Sequence, residues 1–468
     1  MIGVKSYGAY IPKYRLGKET AGWGFPAEKA VANFDEDSIT MAVAAGMDCL
    51  RGMDRSQVDG ILYATTTAPY VEKQGAALIA TALDLRRDIT SADVTDVLRA
   101  GTTALKMALD AVRAGTANSM LVVASDCRMA TPKGGLDRAM GDGAVALLVA
   151  KDGVVAEVEA SYHITDHMLD IWRSSDESTV RNWEDRFVIE EGIFRVIPEA
   201  VSAFMAKNNL SQKDFQKVAY HSIDARRHTE LAKTMKFEGD QVQDPLYSQV
   251  GNTGVAFPLM LMVAALEEAK AGDKILVVGY GDGCDVHSVK VGEGIDKIRQ
   301  ERRGVKKHVE AKRVLKTYDE YLRWRGMMTV AGVRRPTATG PSVSALWRET
   351  DRIIQLHGSK CRKCGYIQYP PQRVCVECHA KDEMDSVRMS DKQATVFTYS
   401  MDYLSGTTDV PLVIAVINFD GGGRMLSMMT DREIDELSVG MPVEMSFRKI
   451  RAAGGVHNYY WKSTPVRA

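Results

Sequence analysis

Residues 105–126, LKMALDAVRAGTANSMLVVASD, and residues 262–283, MVAALEEAKAGDKILVVGYGDG, follow one plan. Each reads as an amphipathic helix, an Ala-Gly stop, a short polar turn and a buried apolar strand. Gly115 and Gly272 occupy the same place in the two copies, where a helix C-terminus favours a residue tolerant of the left-handed conformation. An apolar strand-like run precedes each copy, GILYATTT from Gly60 and KVAYHSI from Lys217, and another follows it, GAVALLVA and VHSVKVG. Two matching α/β halves predict two mixed sheets with helices packed between and around them.

Working outward, 468 residues are too many for one core and predict several domains. A hydrophobic content of 45%, a charged content of 26% and a net charge of -1 belong to an ordinary globular protein with no general attraction to nucleic acid or membrane. The opening MIGVKSYGAYIPKYRLG alternates as a strand and lacks the basic flank and apolar run of a secretory leader. No stretch has the uninterrupted apolar length of a membrane span. The expectation is a cytoplasmic protein with no membrane and no nucleic-acid partner.

After about residue 290 the character changes. DKIRQERRGVKKHVEAKRVLK (296–316) is dense in basic charge and reads as a solvated helix face, with a cationic rim for a phosphorylated ligand as the alternative. GVRRPTATGPSVS (332–344) has the composition of a linker. Beyond it, CRKCGYIQYPPQRVCVECH carries Cys361, Cys364, Cys375 and Cys378 as two CxxC knuckles. Four thiolates at this spacing can converge on one tetrahedral, structural zinc, and Gly365 eases the first knuckle turn. His379 is a bystander on this reading. QATVFTYSMDYL, PLVIAVINFDGGGRMLSMMTD, PVEMSFRKI and HNYYWKSTPV then alternate as strands, with turns at 421–423 and Gly440, and predict a small OB-type β-barrel. Such barrels can bind single-stranded nucleic acid, but no basic stripe runs along this one. The boundaries are therefore 1–155 and 156–330 for the two halves, 331–345 for the linker, 346–385 for a rubredoxin-like zinc ribbon and 386–468 for the barrel.

The ribbon and barrel together resemble the zinc-ribbon and OB-fold family of domain of unknown function 35, whose members accompany thiolase-type enzymes acting on acyl-CoA. The first 330 residues resemble the 3-hydroxy-3-methylglutaryl-CoA synthase branch of the thiolase superfamily. IGVKSYGAYIPKYRL, DIWRSSDE with WEDRFVIEEG, YHSIDARRHTELAKTM, SQVGNTG and ILVVGYGDGCD carry that resemblance. It implies a thiolase-like duplicated mixed-sheet fold with helices in layers, a coenzyme A thioester as substrate, and a homodimer or larger thiolase-type assembly. In such synthases a cysteine forms an acyl-enzyme, a histidine and an asparagine bind the other thioester's oxygen, and a glutamate is the general acid/base. Carried over by motif, the histidine falls on His221 and the asparagine on Asn252. The cysteine position falls on Leu98, in DVTDVLRAGTTALKMALDAV (93–112), and the glutamate position on Thr66 in YATTTAPY.

Leucine forms no covalent intermediate, so acyl-cysteine Claisen chemistry is closed, while two retained donors can still stabilise a thioester enolate. That suits an aldol or retro-aldol step, or a decarboxylation. Asp96, Tyr247 and Tyr280 are candidate bases by local placement. Arg226 and Arg227 are candidates for coenzyme A phosphates. Cys49 and Cys127 read as packing residues. Two alternatives stay open: an inactive acyl-CoA-binding scaffold or partner subunit, and a synthase whose nucleophile has moved to Cys284 or Asp96.

Overall fold

The computed structural model describes residues 1–329 and 339–467. They form two compact units, one of Met1–Asn33, Asp37–Ala80 and Leu85–Arg325, the other of Phe34–Glu36, Thr81–Asp84 and Gly326–Ala468. Among the described residues no helix is long and apolar enough to cross a membrane.

The first unit is organised by β1 (Gly3–Tyr10), β2 (Gly60–Ala64), β3 (Thr90–Val94), β4 (Ser119–Asp126), β5 (Gly143–Ala150), β6 (Ala156–Thr165), β7 (Lys217–Tyr220), β8 (Lys274–Tyr280) and β9 (Gly283–Val291). Their order is β7-β8-β9-β6-β1-β5-β4-β2-β3. The duplication is visible in the pairing. In the first half β2 runs parallel to β4, β4 antiparallel to β5, and β5 antiparallel to β1. In the second half β7, β8, β9 and β6 repeat those three relations in the same sequence. An isolated parallel bridge, Val218–Val242, stands where the first half has β3.

Two separate sheets were expected. The strands instead hydrogen-bond into one, because β1 and β6 pair through Gly3–Glu157 and Val4–Ala156 and join the halves edge to edge. Such pairing between strands 150 residues apart leaves no local trace in the sequence.

The two repeat helices, α1 (Ala100–Arg113) and α2 (Phe257–Glu268), form the centre. α1 has the expected amphipathic pattern. α2 does not: every residue from Phe257 to Leu266 is buried. A helix buried all round must be apolar all round, which is why its sequence lacks a polar face. Gly115 and Gly272 have φ of +74° and +96°, the left-handed conformation that their shared position requires. Gly101, in the first turn of α1, lies so close to the second half that a Cβ would sit 2.3 Å from the Val255 carbonyl oxygen.

The basic stretch is not a simple solvated face. Arg299 donates to the Leu266 and Ala269 carbonyls at the end of α2, the Arg302 Nε donates to Ser6, and Arg302 and His308 are buried. Its basic residues thus cap and pack the first unit.

The second unit opens with a helix, Val343–Arg348, that starts inside the expected linker. Linker residues 331–338 lie outside the described residues. Then come β10 (His357–Cys361), β11 (Ile367–Gln368) and β12 (Met384–Arg388), ordered β11-β10-β12. They are followed by β13 (Ala394–Asp402), β14 (Leu412–Phe419), β15 (Arg424–Met428), β16 (Pro442–Ala453) and β17 (Val456–Pro465), ordered β15-β14-β13-β16-β17. A Met429–Ser463 bridge and the Thr430 N–H bond to the Ser463 carbonyl close this five-stranded sheet on itself. The interior is Val396, Val413, Ala415, Ile417, Met425, Val443, Phe447 and Trp461, which on β14 and β15 alternate with half-buried or exposed positions.

Gly101→Ala should lower stability by about 1–3 kcal/mol through overpacking, and Gly115→Ala by about 1–2 kcal/mol through left-handed strain. Urea denaturation of both variants measures these costs. Wild-type stability in Gly101→Ala would contradict the close approach of the two halves.

Candidate active site

The loops at the C-terminal ends of β4, β7 and β8 meet in the first unit, and two joined cavities open there. An inner chamber of about 60 Å³ is lined by Leu98, Arg128, Asp170, His221, Asn252 and Tyr280, with apolar walls from Met140, Val188 and Ile193. An outer cleft of about 480 Å³ shares Leu98, Arg128 and Asp170 and adds Thr66, Asp96 and the segment 165–173. The cleft is large enough for a small ligand. The chamber is not.

His221 directly follows β7, its N–H bonded to the Val278 carbonyl of β8 at 3.1 Å. Its ring lies edge-on to Phe257 and is 3% exposed, with Nδ1 buried and unpartnered among the described residues. Burial, then the nearby charges of Arg128 and His228, push its pKa down to about 3. The imidazole is therefore neutral at physiological pH and offers one N–H donor. Asn252 is fixed by its own turn. Its Oδ1 accepts from the Gly254 N–H at 2.9 Å and its Nδ2 donates to the Ser222 carbonyl at 3.0 Å. Its amide also lies within hydrogen-bonding reach of the Tyr247 hydroxyl.

Tyr280 closes β8 and donates to Asp170 Oδ2 at 3.0 Å, while Asp170 Oδ1 accepts from the Ile171 N–H at 2.6 Å. Burial raises the Asp170 carboxyl above the ordinary range, against the pull of those two hydrogen bonds. Burial and the neighbouring Asp170 raise the Tyr280 phenol, so at neutral pH it is a protonated donor. The chamber thus holds an acid–base pair that the sequence revealed only in part. Tyr280 was a candidate; Asp170 was not, although it begins the DIWRSSDE stretch. Arg128 also escaped notice. Its one sequence signal is its place two residues beyond a strand that ends in Asp126.

Leu98 stands two residues before α1, half-buried, and reaches both cavities. The start of α1 is tied to the second half by Asp285 of β9. This carboxylate accepts from Thr102 and Thr103 at 2.9 Å each, pairs with Arg99 at 3.0 Å and meets His163 Nδ1 at 2.9 Å. Burial alone would raise its pKa; the hydrogen bond to His163 and the nearby His287, Arg99 and Thr102 bring it down to about 2.

The remaining sequence candidates are placed as follows. The Thr66 hydroxyl reaches the cleft but donates to Asp126 at 2.9 Å. Asp96 is exposed at the cleft rim with φ +73°. Tyr247 donates to the Ser222 carbonyl and lines neither cavity. Cys284 is fully buried in the second-half core, its thiol raised well above the usual range by burial and Asp285. Cys49 is likewise buried. Cys127 contacts the Arg325 side chain, and burial pushes its thiol up to about 12. No cysteine is among the lining residues. Arg226 and Arg227 both pair with Glu230 on their own helix, Ala225–Thr234, outside the two cavities.

In the second unit the sulfurs of Cys361, Cys364, Cys375 and Cys378 lie within 4.8 Å of one another, with Cys361–Cys378 and Cys364–Cys375 each at 3.6 Å. That is the spacing of a tetrahedral four-thiolate site with metal–sulfur distances of about 2.3 Å. Gly365 and His379 take matching left-handed positions after the two knuckles, at φ +79° and +59°. His379 contributes no ligand to the cluster.

Comparison with known proteins agrees with this architecture. Family models match residues 205–291 (3-oxoacyl-[acyl-carrier-protein] synthase III C terminal), 354–384 (ChsH2, rubredoxin-like zinc ribbon domain) and 386–448 (ChsH2, C-terminal OB-fold domain). The hydroxymethylglutaryl-CoA synthase of Methanopyrus kandleri is 30% identical over 341 residues, 69% of this chain and 97% of that protein. A solved HMG-CoA synthase complexed with CoA superposes with a TM-score of 0.63 at 18% identity, covering 73% of this chain and 94% of that one. The 3-oxoacyl-[acyl-carrier-protein] synthase III of Aquifex aeolicus VF5 does so with a TM-score of 0.54 at 20% identity, covering 62% and 100%. The fold is thiolase-like, followed by a zinc ribbon and an OB fold, as the sequence implied.

A histidine whose pKa is depressed in the folded state favours folding above its ordinary pKa near 6.5, and that contribution is lost as pH falls toward 3. The His221 ring resonances should therefore stay constant from pH 5 to 8 in NMR titration, whereas an inflection near 6.5 would contradict its burial.

Proposed function

The chain belongs to the hydroxymethylglutaryl-CoA synthase family, and from that premise we propose that it makes or breaks a carbon–carbon bond in a coenzyme A thioester through an enolate, without an acyl-enzyme. One observation carries this reading: His221 and Asn252 line the same chamber as Leu98, and no thiol does. A neutral imidazole N–H and the Asn252 amide are two donors for a thioester oxygen that becomes negative in the transition state. Because packing against Phe257 holds the imidazole and hydrogen bonds to Gly254 and Ser222 hold the amide, they reorganise little as charge develops.

In the cleavage direction, a base removes the proton of a β-hydroxyl and the new carbonyl forms there. The Cα–Cβ bond breaks, and its electron pair moves onto the thioester oxygen held by His221 and Asn252. A proton then returns to Cα. Addition is the reverse. Asp170, with its raised carboxyl, and Tyr280, hydrogen-bonded to it, are the proton carriers closest to those donors in chemistry and place. Thr66 is excluded from the role of the family's glutamate because its hydroxyl has no useful acidity and is committed to Asp126.

For the second unit we infer a structural zinc held by Cys361, Cys364, Cys375 and Cys378. A closed four-thiolate shell leaves no position for substrate or water, so the ion stabilises the ribbon and takes no part in the reaction.

Incubation with a panel of acyl-CoAs and 3-hydroxyacyl-CoAs in deuterated water should place deuterium at the α-carbon and leave no adduct on any cysteine by mass spectrometry. His221→Ala should slow exchange about 10²–10³-fold with thioester affinity nearly unchanged. Binding without exchange across the panel would make the protein a scaffold, and an acyl adduct on Cys284 would restore synthase chemistry; either overturns the reading. Metal analysis should find one zinc per chain, lost in Cys364→Ser and on treatment with a strong chelator. Retention of stoichiometric zinc in that variant would refute the four-thiolate site.

A further inference from the structure

Residues Val188–Ile193 form a π-helical turn between the short helix Asp185–Phe187 and the helix Phe194–Asn208. The Phe194 N–H closes it on the Ile189 carbonyl, five residues back. Such turns are rare, and many of them stand at functional sites. The buried residues of this one are Val188, Gly192 and Ile193, and both Val188 and Ile193 line the chamber. On the exposed side the Arg195 Nε donates to the Glu191 carbonyl at 2.8 Å, and the same guanidinium pairs with Asp166 of the outer cleft.

Glycine within a helix costs about 1 kcal/mol relative to alanine. Gly192 does not have a positive φ, so no left-handed conformation calls for it. Room does. A Cβ on Gly192 would stand 2.6 Å from the Tyr280 hydroxyl oxygen and 2.9 Å from Met168 Sδ. The Met168 side chain is flexible and can give way. The phenol oxygen is engaged with Asp170 Oδ2 at 3.0 Å, at the tip of a ring buried in the second-half core.

We propose that Gly192 is a positioning residue: the π-turn brings its bare Cα up to the Tyr280 phenol and so keeps that phenol on Asp170. This rests on the reading of Asp170 and Tyr280 as the proton carriers. The charges that face the pair are Arg128 toward Asp170, Asp282 toward both residues and Asp166 toward Tyr280, with the His221 ring 6.1 Å from the Tyr280 ring. Against that surrounding, the phenol and the Ile171 N–H are hydrogen bonds that favour the charged carboxylate. Loss of the phenol from Asp170 removes one of them and moves the carboxyl titration to higher pH.

A double-mutant cycle tests this. Gly192→Ala should slow α-carbon exchange about tenfold or more and move the acidic limb of its pH profile upward. In a Tyr280→Phe background, which lacks the crowded oxygen, the same substitution should cost less than about twofold. Carbon-13 NMR of aspartate-labelled protein, which needs no turnover, should show Asp170 titrating at higher pH in Gly192→Ala and in Tyr280→Phe alike. An unshifted Asp170 titration in Gly192→Ala, or an equal loss of exchange on both backgrounds, would overturn the proposal. Should Gly192→Ala not fold, restoration of the fold by added Tyr280→Phe would support the close approach, and failure of both variants to fold would assign Gly192 to stability alone and sink the proposal. A shifted Asp170 titration with no exchange in the wild type would defeat the thioester reading and leave the positioning intact.

Discussion

The active-site region depends on one buried carboxylate. Asp126 ends β4 and accepts five hydrogen bonds, from the hydroxyls of Thr65, Thr66 and Thr67 and the backbone N–H groups of Thr66 and Val255. The three threonines follow β2 in the first half, and Val255 leads into α2 of the second. A carboxylate out of water is tolerated only with this degree of satisfaction. It therefore forces the ends of β2 and β4 and the approach to α2 into a single arrangement. Gly254 must come so near that a Cβ would stand 2.2 Å from Asp126 Oδ2, and Gly254 in turn donates the hydrogen bond that orients Asn252. The position of the chamber-facing amide thus follows from a charge that lines neither cavity. Asp285 has the same role at the other end of the site, where it seats the start of α1 and hence Leu98.

What was legible in the sequence was local. The duplicated helix–turn–strand units, the left-handed glycines at 115 and 272, the CxxC knuckles and the alternation of the barrel strands each depend on residues a few positions apart, where propensity and periodicity act. What was not legible depends on meetings between distant segments. The β1–β6 pairing turned two sheets into one. The all-round burial of α2 follows from its place between halves. The basic stretch turned inward at Arg299 and Arg302 because carbonyls at the end of α2 needed donors. Arg128 and Asp170 look like ordinary surface charges in sequence. They acquire meaning only when the 41 residues of intervening chain fold back to place them in one chamber, since burial is what makes a charge costly and its partners informative. Motif resemblance located His221 and Asn252, whose neighbours are characteristic in sequence, and it could not locate an arginine that no motif includes.

The electrostatics of the chamber are consistent with thioester chemistry. Its histidine is neutral, kept so by burial and by Arg128. A neutral donor stabilises a forming enolate without pairing with it as a charged acid would, and the oxygen is not trapped as an enol. Positive charge is concentrated instead on a group that cannot give up its proton, and the acidic function on a carboxyl held above its usual range by the same burial. Donor, cation and acid are separate residues, so each can be adjusted without disturbing the others.

Leucine at position 98 also bears on direction. A covalent acyl-enzyme is of greatest use when two molecules must be joined, because it holds one while the other arrives and removes the entropic cost of a second encounter. Cleavage starts with both fragments in one molecule, already at bonding distance, and needs no tether. It requires an oxygen site for the enolate and a base for the hydroxyl. On the proposed reading His221 with Asn252 and Asp170 with Tyr280 serve those two tasks in turn. Synthesis by the same residues is permitted by microscopic reversibility but lacks the device that would make it efficient at low concentrations of a second substrate. On the proposed reading, leucine at the nucleophile's position and threonine at the glutamate's leave a site better suited to cleaving one molecule than to joining two.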